Sequence, residues 1–177
     1  FKALKKAYGK GRELRGMTLA VVGFGRIGQS LAQYAIGCGM KVIGVDQTTG
    51  THALTVDVAG QQFSVDIPLV TLDEALAAAD AMSLHIPAQA DGQAVIDAEA
   101  IAKMKPGALL LNAARGGVVD EDAMLEALDS GQLGGAGVDV FVGEPKPRLG
   151  VIRHPRVSLT PHVGAATGAA QERIGLE

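Results

Sequence analysis

Short apolar runs rich in β-branched residues alternate with helical segments along most of this sequence. Such alternation is typical of βαβ units, which build a parallel sheet with right-handed crossovers and helices on both faces. The run at 108–113 is apolar at five of its six positions, as expected of a strand with both faces covered. The sequence therefore predicts an α/β fold with a doubly wound parallel sheet. The predicted strands are 18–23, 41–46, 81–86, 108–113, 135–141 and 156–160.

The segments between these strands are assigned from spacing and capping residues. Thr71 and Glu74 form a capping box pattern, and Asp120 is a suitable N-cap for a helix that ends at Gly131. Residues 56–67 are predicted to form a hairpin that turns at Ala59-Gly60, within the otherwise patternless stretch 47–70. The predicted helices are 72–79, 96–104, 121–130 and one before Gly37 in which Ile27, Leu31, Ala32 and Ala35 recur at helical spacing.

The composition excludes several classes of protein. Sixteen Lys and Arg against nineteen Asp and Glu give a formal net charge of −3 on 177 residues, without the basic face of a nucleic-acid binder. No apolar stretch approaches the ~18 residues that cross a bilayer, so no membrane partner is expected. Cys38 is the single cysteine, which predicts a reducing, cytoplasmic location. Glycine is unusually frequent, with 24 residues, and indicates tight turns or close backbone approaches.

A G-x-G-x-x-G stretch, Gly23 to Gly28, joins the first predicted strand to the first helix. Gly23 permits a tight turn, Gly25 lets the backbone approach a pyrophosphate, and Gly28 lets helix and strand pack closely. The phosphates would lie at the helix N-terminus, where unpaired N–H groups favour an anion. Asp46 would accept hydrogen bonds from the adenosine ribose, which favours NAD over NADP. The stretch predicts a Rossmann-type NAD-binding domain; the alternative is a purely structural turn beside an ordinary surface aspartate.

Residues suited to a ligand stand at the end of each predicted strand. In an open parallel sheet, ligands bind beyond the carboxyl ends of the strands. Agreement among all the strand ends is stronger evidence for a site than any single motif. The residues at these ends are Gly23, Asp46, Ile86-Pro87, Ala113-Ala114-Arg115, Asp139 and His162.

Three side chains at this edge are candidates for chemistry. Arg115 precedes Gly116-Gly117, which leave its guanidinium uncrowded and suited to a carboxylate; the alternative is pairing with a surface carboxylate. His162 lies just past the last strand, where a single histidine is more often structural than catalytic. Glu144 follows the strand before it, and its default state is a solvated loop carboxylate. His85 is predicted to line the site without a chemical role.

Five segments together resemble the D-2-hydroxyacid dehydrogenase family, and their order and spacing agree over nearly the whole chain. The resemblance implies an NAD-dependent oxidoreductase that moves a hydride between nicotinamide and C2 of a D-2-hydroxy acid. Within the family it is greatest to members that oxidise 3-phospho-D-glycerate to 3-phosphohydroxypyruvate in serine biosynthesis. The segments are VVGFGRIGQSLA, SLHIP, LLNAARGGVVDEDAML, GAGVDVFVGEP and LTPHVGAATGAAQERIG, and the most specific piece is NAARGGVVDE within the third.

The resemblance also implies roles for individual residues. The family's catalytic Arg, Glu and His fall on Arg115, Glu144 and His162. His162 would transfer the hydroxyl proton, Glu144 would hydrogen-bond its far ring nitrogen, and Arg115 would bind the substrate carboxylate and polarise the C2 oxygen. Asp139 would hold the nicotinamide carboxamide, and no metal is expected. The cofactor contacts from motif and resemblance are Gly23, Gly25, Arg26, Ile27, Gly28, Asp46, Ile86, Pro87, Ala113, Ala114, Arg115, Asp139, His162, Gly164 and Ala165.

The resemblance further implies a second domain, which closes over the substrate. We expect residues 1–16 to be a connector from a missing substrate domain, 17–166 to be the dinucleotide-binding domain, and 167–177 to begin a C-terminal helix that returns toward the missing domain. A segment without that domain is expected to bind NAD and to turn over poorly, because water would reach the reacting centre.

Two alternatives stay open on the sequence. One is an NAD(H)-sensing scaffold, because transcriptional corepressors resemble the same family. The other is a family dehydrogenase for lactate, glycerate or formate, since Ala88-Gln89 replaces the family's frequent Leu-Thr. The expected partners are a small 2-hydroxy or 2-keto acid and, by analogy with the family, further copies in a homodimer or higher homo-oligomer.

Overall fold

The computed structural model describes residues 11–168 together with residues 1, 2, 5, 6, 9, 170 and 172. Within these residues one sheet contains the strands β1 Thr18–Val22, β2 Lys41–Val45, β3 Gly50–Val58, β4 Gln61–Leu69, β5 Ala81–Leu84, β6 Ala108–Asn112, β7 Leu133–Val138 and β8 Val157–Leu159. The helices are α1 Arg26–Gly37, α2 Leu72–Ala78, α3 Ala98–Lys103, α4 Glu121–Ser130 and α5 Leu149–Arg153. The strand order is β3-β4-β2-β1-β5-β6-β7-β8, and every neighbouring pair is parallel except β3 and β4.

The two faces of the sheet carry separate apolar clusters. Ala20 and Val22 of β1 join the cluster under α2, α3 and α4, whereas Leu19 and Val21 join the cluster under α1. This division follows from the two-residue period of a strand, which sends successive side chains to opposite faces. The predicted doubly wound α/β fold, with helices on both faces, is therefore confirmed.

The expectation that both faces of β6 are covered is wrong for the described part of the chain. Leu110 is buried, but Leu111 on the opposite face is 38% exposed. Leu109 and Leu111 line an open cavity of about 390 Å³ together with residues of β7 and β8. The cause is the path of the chain: α3 and α4, which connect β5, β6 and β7, both pack on the Leu110 face.

Capping side chains fix where the helices begin. The Thr71 hydroxyl accepts a hydrogen bond from the N–H of Glu74, whose carboxylate accepts one from the N–H of Thr71, so the predicted capping box is confirmed. Asp120 caps α4 by accepting two backbone N–H groups, and α4 ends at Gly131 in the left-handed conformation. The helix predicted over 96–104 is shorter, because Asp97 caps it and Ala98 begins it.

The predicted hairpin is confirmed and is longer than expected. Its turn is at Ala59-Gly60, and its antiparallel strands reach Gly50 and Leu69. Leu69 pairs with Gly44 of β2, so the hairpin extends the sheet at the edge beyond β2. The inward-facing side chains of the hairpin pack against α1 and include Leu54, Val56 and Ile67.

Five residues of the predicted connector and most of the predicted C-terminal helix lie outside the described residues, which do not include 3, 4, 7, 8, 10, 169, 171 and 173–177. Among the described helices, none has the length and apolar character needed to cross a membrane.

Candidate active site

The glycine-rich loop packs tightly on one side and is open on the other. Gly23 has φ +90°, and a Cβ there would lie 2.6 Å from the carbonyl oxygen of His85. A Cβ on Gly28 would lie 2.3 Å from the carbonyl oxygen of Gly23, so α1 packs directly against the end of β1. A Cβ on Gly25 would meet nothing within 4 Å. The loop thus presents bare backbone at the N-terminus of α1, where an anion is favoured.

Asp46 ties the end of β2 to this loop. One carboxylate oxygen accepts a hydrogen bond from the N–H of Phe24 at 3.1 Å, and the other accepts one from the N–H of Gln47 at 2.8 Å. Asp46 is exposed, and a carboxylate has about four acceptor sites, so acceptor capacity remains for a ligand. The Phe24 ring packs edge-on against His52, with centroids 5.4 Å apart, which joins the loop to the hairpin.

A cavity of about 210 Å³ lies at the carboxyl ends of β5 and β6. One of its residues, Ile27, shares the helical spacing of the buried alanines of α1 but is 73% exposed. It lies on the solvent face of the helix and lines the cavity instead of the core. The cavity brings together six residues predicted at the site and His85; its lining is Ile27, His85, Ile86, Pro87, Ala113, Ala114 and Arg115.

His85 forms part of the wall of this cavity, as predicted. Its Nε2 lies 3.0 Å from the hydroxyl oxygen of Ser83, a buried residue of β5. Burial lowers the pKa of His85, so the ring is neutral at pH 7. Because the His85 ring is neutral, Arg115 supplies the positive charge among the residues that line this cavity.

The turn that carries Arg115 is held by Asn112, which sequence reasoning missed. The Asn112 side chain accepts a hydrogen bond from the N–H of Ala114 and donates one to the carbonyl oxygen of Arg115. The Arg115 guanidinium donates to the carbonyl oxygen of Ala114 at 2.6 Å. The signal for Asn112 was present, since a single amide ends an otherwise apolar strand and a buried amide needs partners.

His162 and Glu144, which are 18 residues apart, form a direct pair. Nδ1 of His162 lies 2.7 Å from Oε2 of Glu144. Hydrogen bonds from His162 and from the N–H of Phe141 lower the pKa of Glu144, so its carboxylate is charged at neutral pH. When Nδ1 donates to that carboxylate, Nε2 carries the lone pair that a base needs.

Asp139 is buried at the end of β7 and organises the segment that carries His162. Its carboxylate accepts hydrogen bonds from the hydroxyl of Thr160 and from the N–H groups of Val163 and Gly164. Burial alone would raise the pKa of Asp139, but these three hydrogen bonds outweigh it and lower the pKa. The charged carboxylate therefore holds residues both before and after His162 in the chain. The φ of His162 is +54°, which is uncommon for a residue other than glycine. Its contact with a nicotinamide carboxamide stays a prediction.

Backbone contacts join these groups of residues. The crowding at Gly23 brings the glycine-rich loop against the 85–86 segment of the cavity. A Cβ on Gly116 would lie 2.1 Å from the carbonyl oxygen of Phe141, so the turn after Arg115 touches the turn that leads to Glu144. The remaining predicted contacts, Arg26 and Ala165, lie exposed at the start of α1 and in the segment after His162.

One protein-family description matches nearly the whole chain. It reads "D-isomer specific 2-hydroxyacid dehydrogenase, NAD binding domain" and matches residues 2–164. The chain belongs to this family. The predicted family and NAD as its cofactor are thereby confirmed, and the individual contacts to NAD stay predictions.

Curated relatives of this D-2-hydroxyacid dehydrogenase domain are considerably longer. A hydroxypyruvate reductase of Thermotoga maritima is 41% identical over 98% of the chain and 54% of its own length. D-3-phosphoglycerate dehydrogenase 2, chloroplastic, of Arabidopsis thaliana is 42% identical over 94% of the chain and 26% of its own length. The chain thus spans about half, or less, of the length of these relatives.

Solved structures of two dehydrogenases share the fold of the chain. D-mandelate dehydrogenase of Rhodotorula graminis in its holo form gives a TM-score of 0.85 at 30% identity, over 99% of the chain and 50% of its own. NAD-dependent formate dehydrogenase of Staphylococcus aureus in complex with NAD gives 0.83 at 30% identity, over 97% of the chain and 49% of its own.

Proposed function

We propose that this chain supplies the NAD-binding and catalytic residues of an NAD-dependent D-2-hydroxyacid dehydrogenase. The observation that carries the proposal is the 2.7 Å contact between Nδ1 of His162 and Oε2 of Glu144. A histidine held in this way by a carboxylate is suited to move a proton on and off a hydroxyl group. Arg115 adds a fixed positive charge to the neighbouring cavity.

The residues at the strand ends fit NAD. The bare backbone around Gly25, at the N-terminus of α1, suits the pyrophosphate, and the free acceptor sites of Asp46 suit the adenosine ribose. The apolar wall formed by Ile27, Ile86 and Pro87 suits the nicotinamide ring. Bound there, NAD would supply the hydride acceptor for oxidation of the alcohol carbon and, as NADH, the hydride donor for the reverse reaction.

His162 performs the proton transfer. Its Nε2 removes the proton of the substrate hydroxyl during oxidation and returns it during reduction. Glu144 stays charged because its pKa is low, so it fixes the Nδ1–H tautomer and stabilises the imidazolium. Asp139 keeps the ring in place through its hydrogen bonds to Val163 and Gly164.

Arg115 binds the substrate carboxylate. Its guanidinium is exposed at the cavity, and its five N–H donors in a planar fork can grip a carboxylate through two parallel bonds. The same charge polarises the C2 oxygen, where negative charge collects as the hydroxyl proton leaves. Substrate is thereby oriented by one residue and deprotonated by another.

For the substrate we infer 3-phospho-D-glycerate, oxidised to 3-phosphohydroxypyruvate in serine biosynthesis. Proteins named D-3-phosphoglycerate dehydrogenase from Arabidopsis thaliana, Mycobacterium tuberculosis and Bacillus subtilis are 42%, 39% and 40% identical to the chain. A second candidate, reduction of hydroxypyruvate, is favoured by the 41% identity to the Thermotoga maritima reductase. The values of kcat/KM for 3-phosphoglycerate and for glycerate, measured side by side, separate the two.

We further propose that the protein carrying this chain acts as a homodimer or higher homo-oligomer in the cytoplasm. Analogy with the family supports the oligomer, and a single cysteine supports a reducing compartment. Sedimentation velocity of the purified protein tests the oligomer.

The decisive test is His162→Ala in the protein that carries this chain. We expect turnover to fall roughly 10²–10⁴-fold because the proton acceptor is lost, while NADH affinity, measured by fluorescence titration, barely changes. Unchanged turnover would remove His162 from the mechanism. NADH binding by a wild-type protein that oxidises none of 3-phosphoglycerate, glycerate, lactate or formate would favour an NAD(H)-sensing scaffold instead.

A further inference from the structure

Glu121 is a buried carboxylate that the proposed mechanism does not use. It is the first residue of α4 and is 8% exposed. It lies on the buried face of the helix, at the same helical spacing as Met124 and Leu128. Glutamate is almost never this deeply buried unless it has a partner, so the burial requires an explanation.

The partner of Glu121 is the turn that leads to Glu144. One carboxylate oxygen of Glu121 accepts a hydrogen bond from the N–H of Val142 at 2.8 Å. Its second oxygen is inaccessible and has no hydrogen-bond partner among the described residues. A helix dipole favours a glutamate in the first turn, but an exposed side chain would serve that purpose equally well. The hydrogen bond with Val142 is therefore what a buried Glu121 side chain gains over an exposed one.

The residue next to Val142 is hydrogen-bonded to the proposed proton-transfer pair. The preceding residue, Phe141, donates its N–H to Oε1 of Glu144 at 2.8 Å. The other oxygen of Glu144 contacts His162. The position of Glu144 thus depends on the backbone of the 141–144 turn, and one end of that turn is held by Glu121.

The turn is also pressed against its neighbour. The backbone of Gly116 lies against that of Phe141, where a Cβ would come within 2.1 Å of the carbonyl oxygen. This packing stops the turn from moving toward Gly116, and the hydrogen bond that the N–H of Val142 donates to Glu121 stops the turn from moving away from α4. Together the two contacts restrain Phe141 and Val142, the first two residues of the 141–144 turn.

We propose that Glu121 is a positioning residue that holds the 141–144 turn so that Glu144 stays within hydrogen-bond distance of His162. This inference rests on the proposed function, in which that pair transfers the proton. Removal of the Glu121 carboxylate releases the N–H of Val142 and lets the turn shift. A displacement of about 1 Å at a reacting group is enough to slow an enzyme by up to about 10²-fold.

The test compares three variants with the wild type: Glu121→Ala, Glu121→Gln and Glu126→Ala. Glutamine keeps an acceptor for the N–H of Val142, whereas alanine removes it. Glu126 is an exposed residue of the same helix and serves as the matched control.

The first readout needs no activity. Titration of the Glu144 carboxyl carbon by NMR reports its pairing, because the hydrogen bonds from His162 and Phe141 lower its pKa, against the opposing effects of partial burial and of the Asp139 charge. We expect this pKa to rise toward its ordinary value in Glu121→Ala and to stay low in Glu121→Gln and Glu126→Ala. The second readout is kcat, which should fall about 10–100-fold in Glu121→Ala with little change in KM, and recover largely in Glu121→Gln.

The possible results are distinct. The positioning role is overturned if the Glu144 pKa in Glu121→Ala equals that of the wild type, or if kcat falls as far in Glu121→Gln as in Glu121→Ala. Either result leaves the proposed function intact. A wild type that turns over no 2-hydroxy acid overturns the proposed function, while the Glu144 titration still decides the positioning role. If Glu121→Ala does not fold, Glu121→Asp replaces it, since the shorter carboxylate cannot reach Val142; a low Glu144 pKa there also overturns the role.

Discussion

Gly28 of α1 should resist replacement by alanine, although alanine favours helices. Its ideal Cβ would lie 2.3 Å from the carbonyl oxygen of Gly23 and 2.9 Å from Cγ1 of Val21. The first contact is with backbone, which cannot rotate away as a side chain does. Gly37, the last residue of the same helix, provides the control, because a Cβ there would meet nothing within 4 Å.

The two substitutions should have opposite signs. Alanine in place of a helical glycine gains up to about 1 kcal/mol. Overpacking costs about 1–3 kcal/mol, and the contact with the Gly23 carbonyl at 2.3 Å belongs at the upper end of that range. Gly28→Ala should therefore lower the free energy of unfolding by about 2 kcal/mol, whereas Gly37→Ala should leave it equal or raise it by up to about 1 kcal/mol.

Urea unfolding of the chain, followed by far-UV circular dichroism, measures both effects. With a slope of about 2 kcal/mol per M, the midpoint of Gly28→Ala should fall by about 1 M at unchanged slope. A Gly28→Ala midpoint equal to or above that of Gly37→Ala would refute the close contact of α1 with the end of β1.

Three further outcomes follow from the site. Asp46→Ala should weaken NADH binding and reduce discrimination against NADPH by about 10–100-fold, because it removes a hydrogen bond to a charged group. Fluorescence titration with both nucleotides measures this, and undiminished rejection of NADPH would contradict the role of Asp46. Arg115→Lys should raise KM and lower kcat, because an ammonium cannot reproduce the planar fork; wild-type steady-state kinetics would exclude carboxylate binding through that fork. The lowered pKa values of Asp139 and Glu144 stabilise the fold above the ordinary carboxyl range near pH 4, and this stabilisation is lost as pH falls through the folded-state values. Urea unfolding between about pH 3 and 6 should show that Asp139→Asn is less stable near neutrality and has a flatter acid limb, and an unchanged acid limb would show that Asp139 does not contribute.

The sequence predicts most of the fold because its strands and helices follow simple periodicities. The apolar runs, the capping box at Thr71 and the turn at Ala59-Gly60 are all found where local chemistry places them. The full length of the hairpin was not predicted, because the outer parts of its strands are mostly exposed and show no alternation of apolar and polar residues. The buried positions, Leu54, Val56 and Ile67, are defined by contact with α1. The open face of β6 was not predicted either, since a strand's own residues do not show which helices reach it.

The candidate site divides in the same way. Glu144 and His162 were singled out from their places after strands and from a family resemblance, and the 2.7 Å contact between them is visible only in the structure. Asn112 and Glu121 were missed because each bonds backbone groups, which leave no mark in the sequence: Asn112 bonds the turn two and three residues ahead, and Glu121 bonds the N–H of Val142, 21 residues away. A buried polar residue in an apolar period is the signal that identifies both of them.

The antiparallel hairpin has a practical consequence for work on this domain. Its open ends, Gly50 and Leu69, lie beside the carboxyl end of β2, and its turn at Ala59-Gly60 is exposed. At about 3.3 Å per residue, the turn is roughly 30 Å of strand away from those ends. A fluorophore, an affinity tag or an inserted peptide attached there would report on the domain from outside the candidate active site.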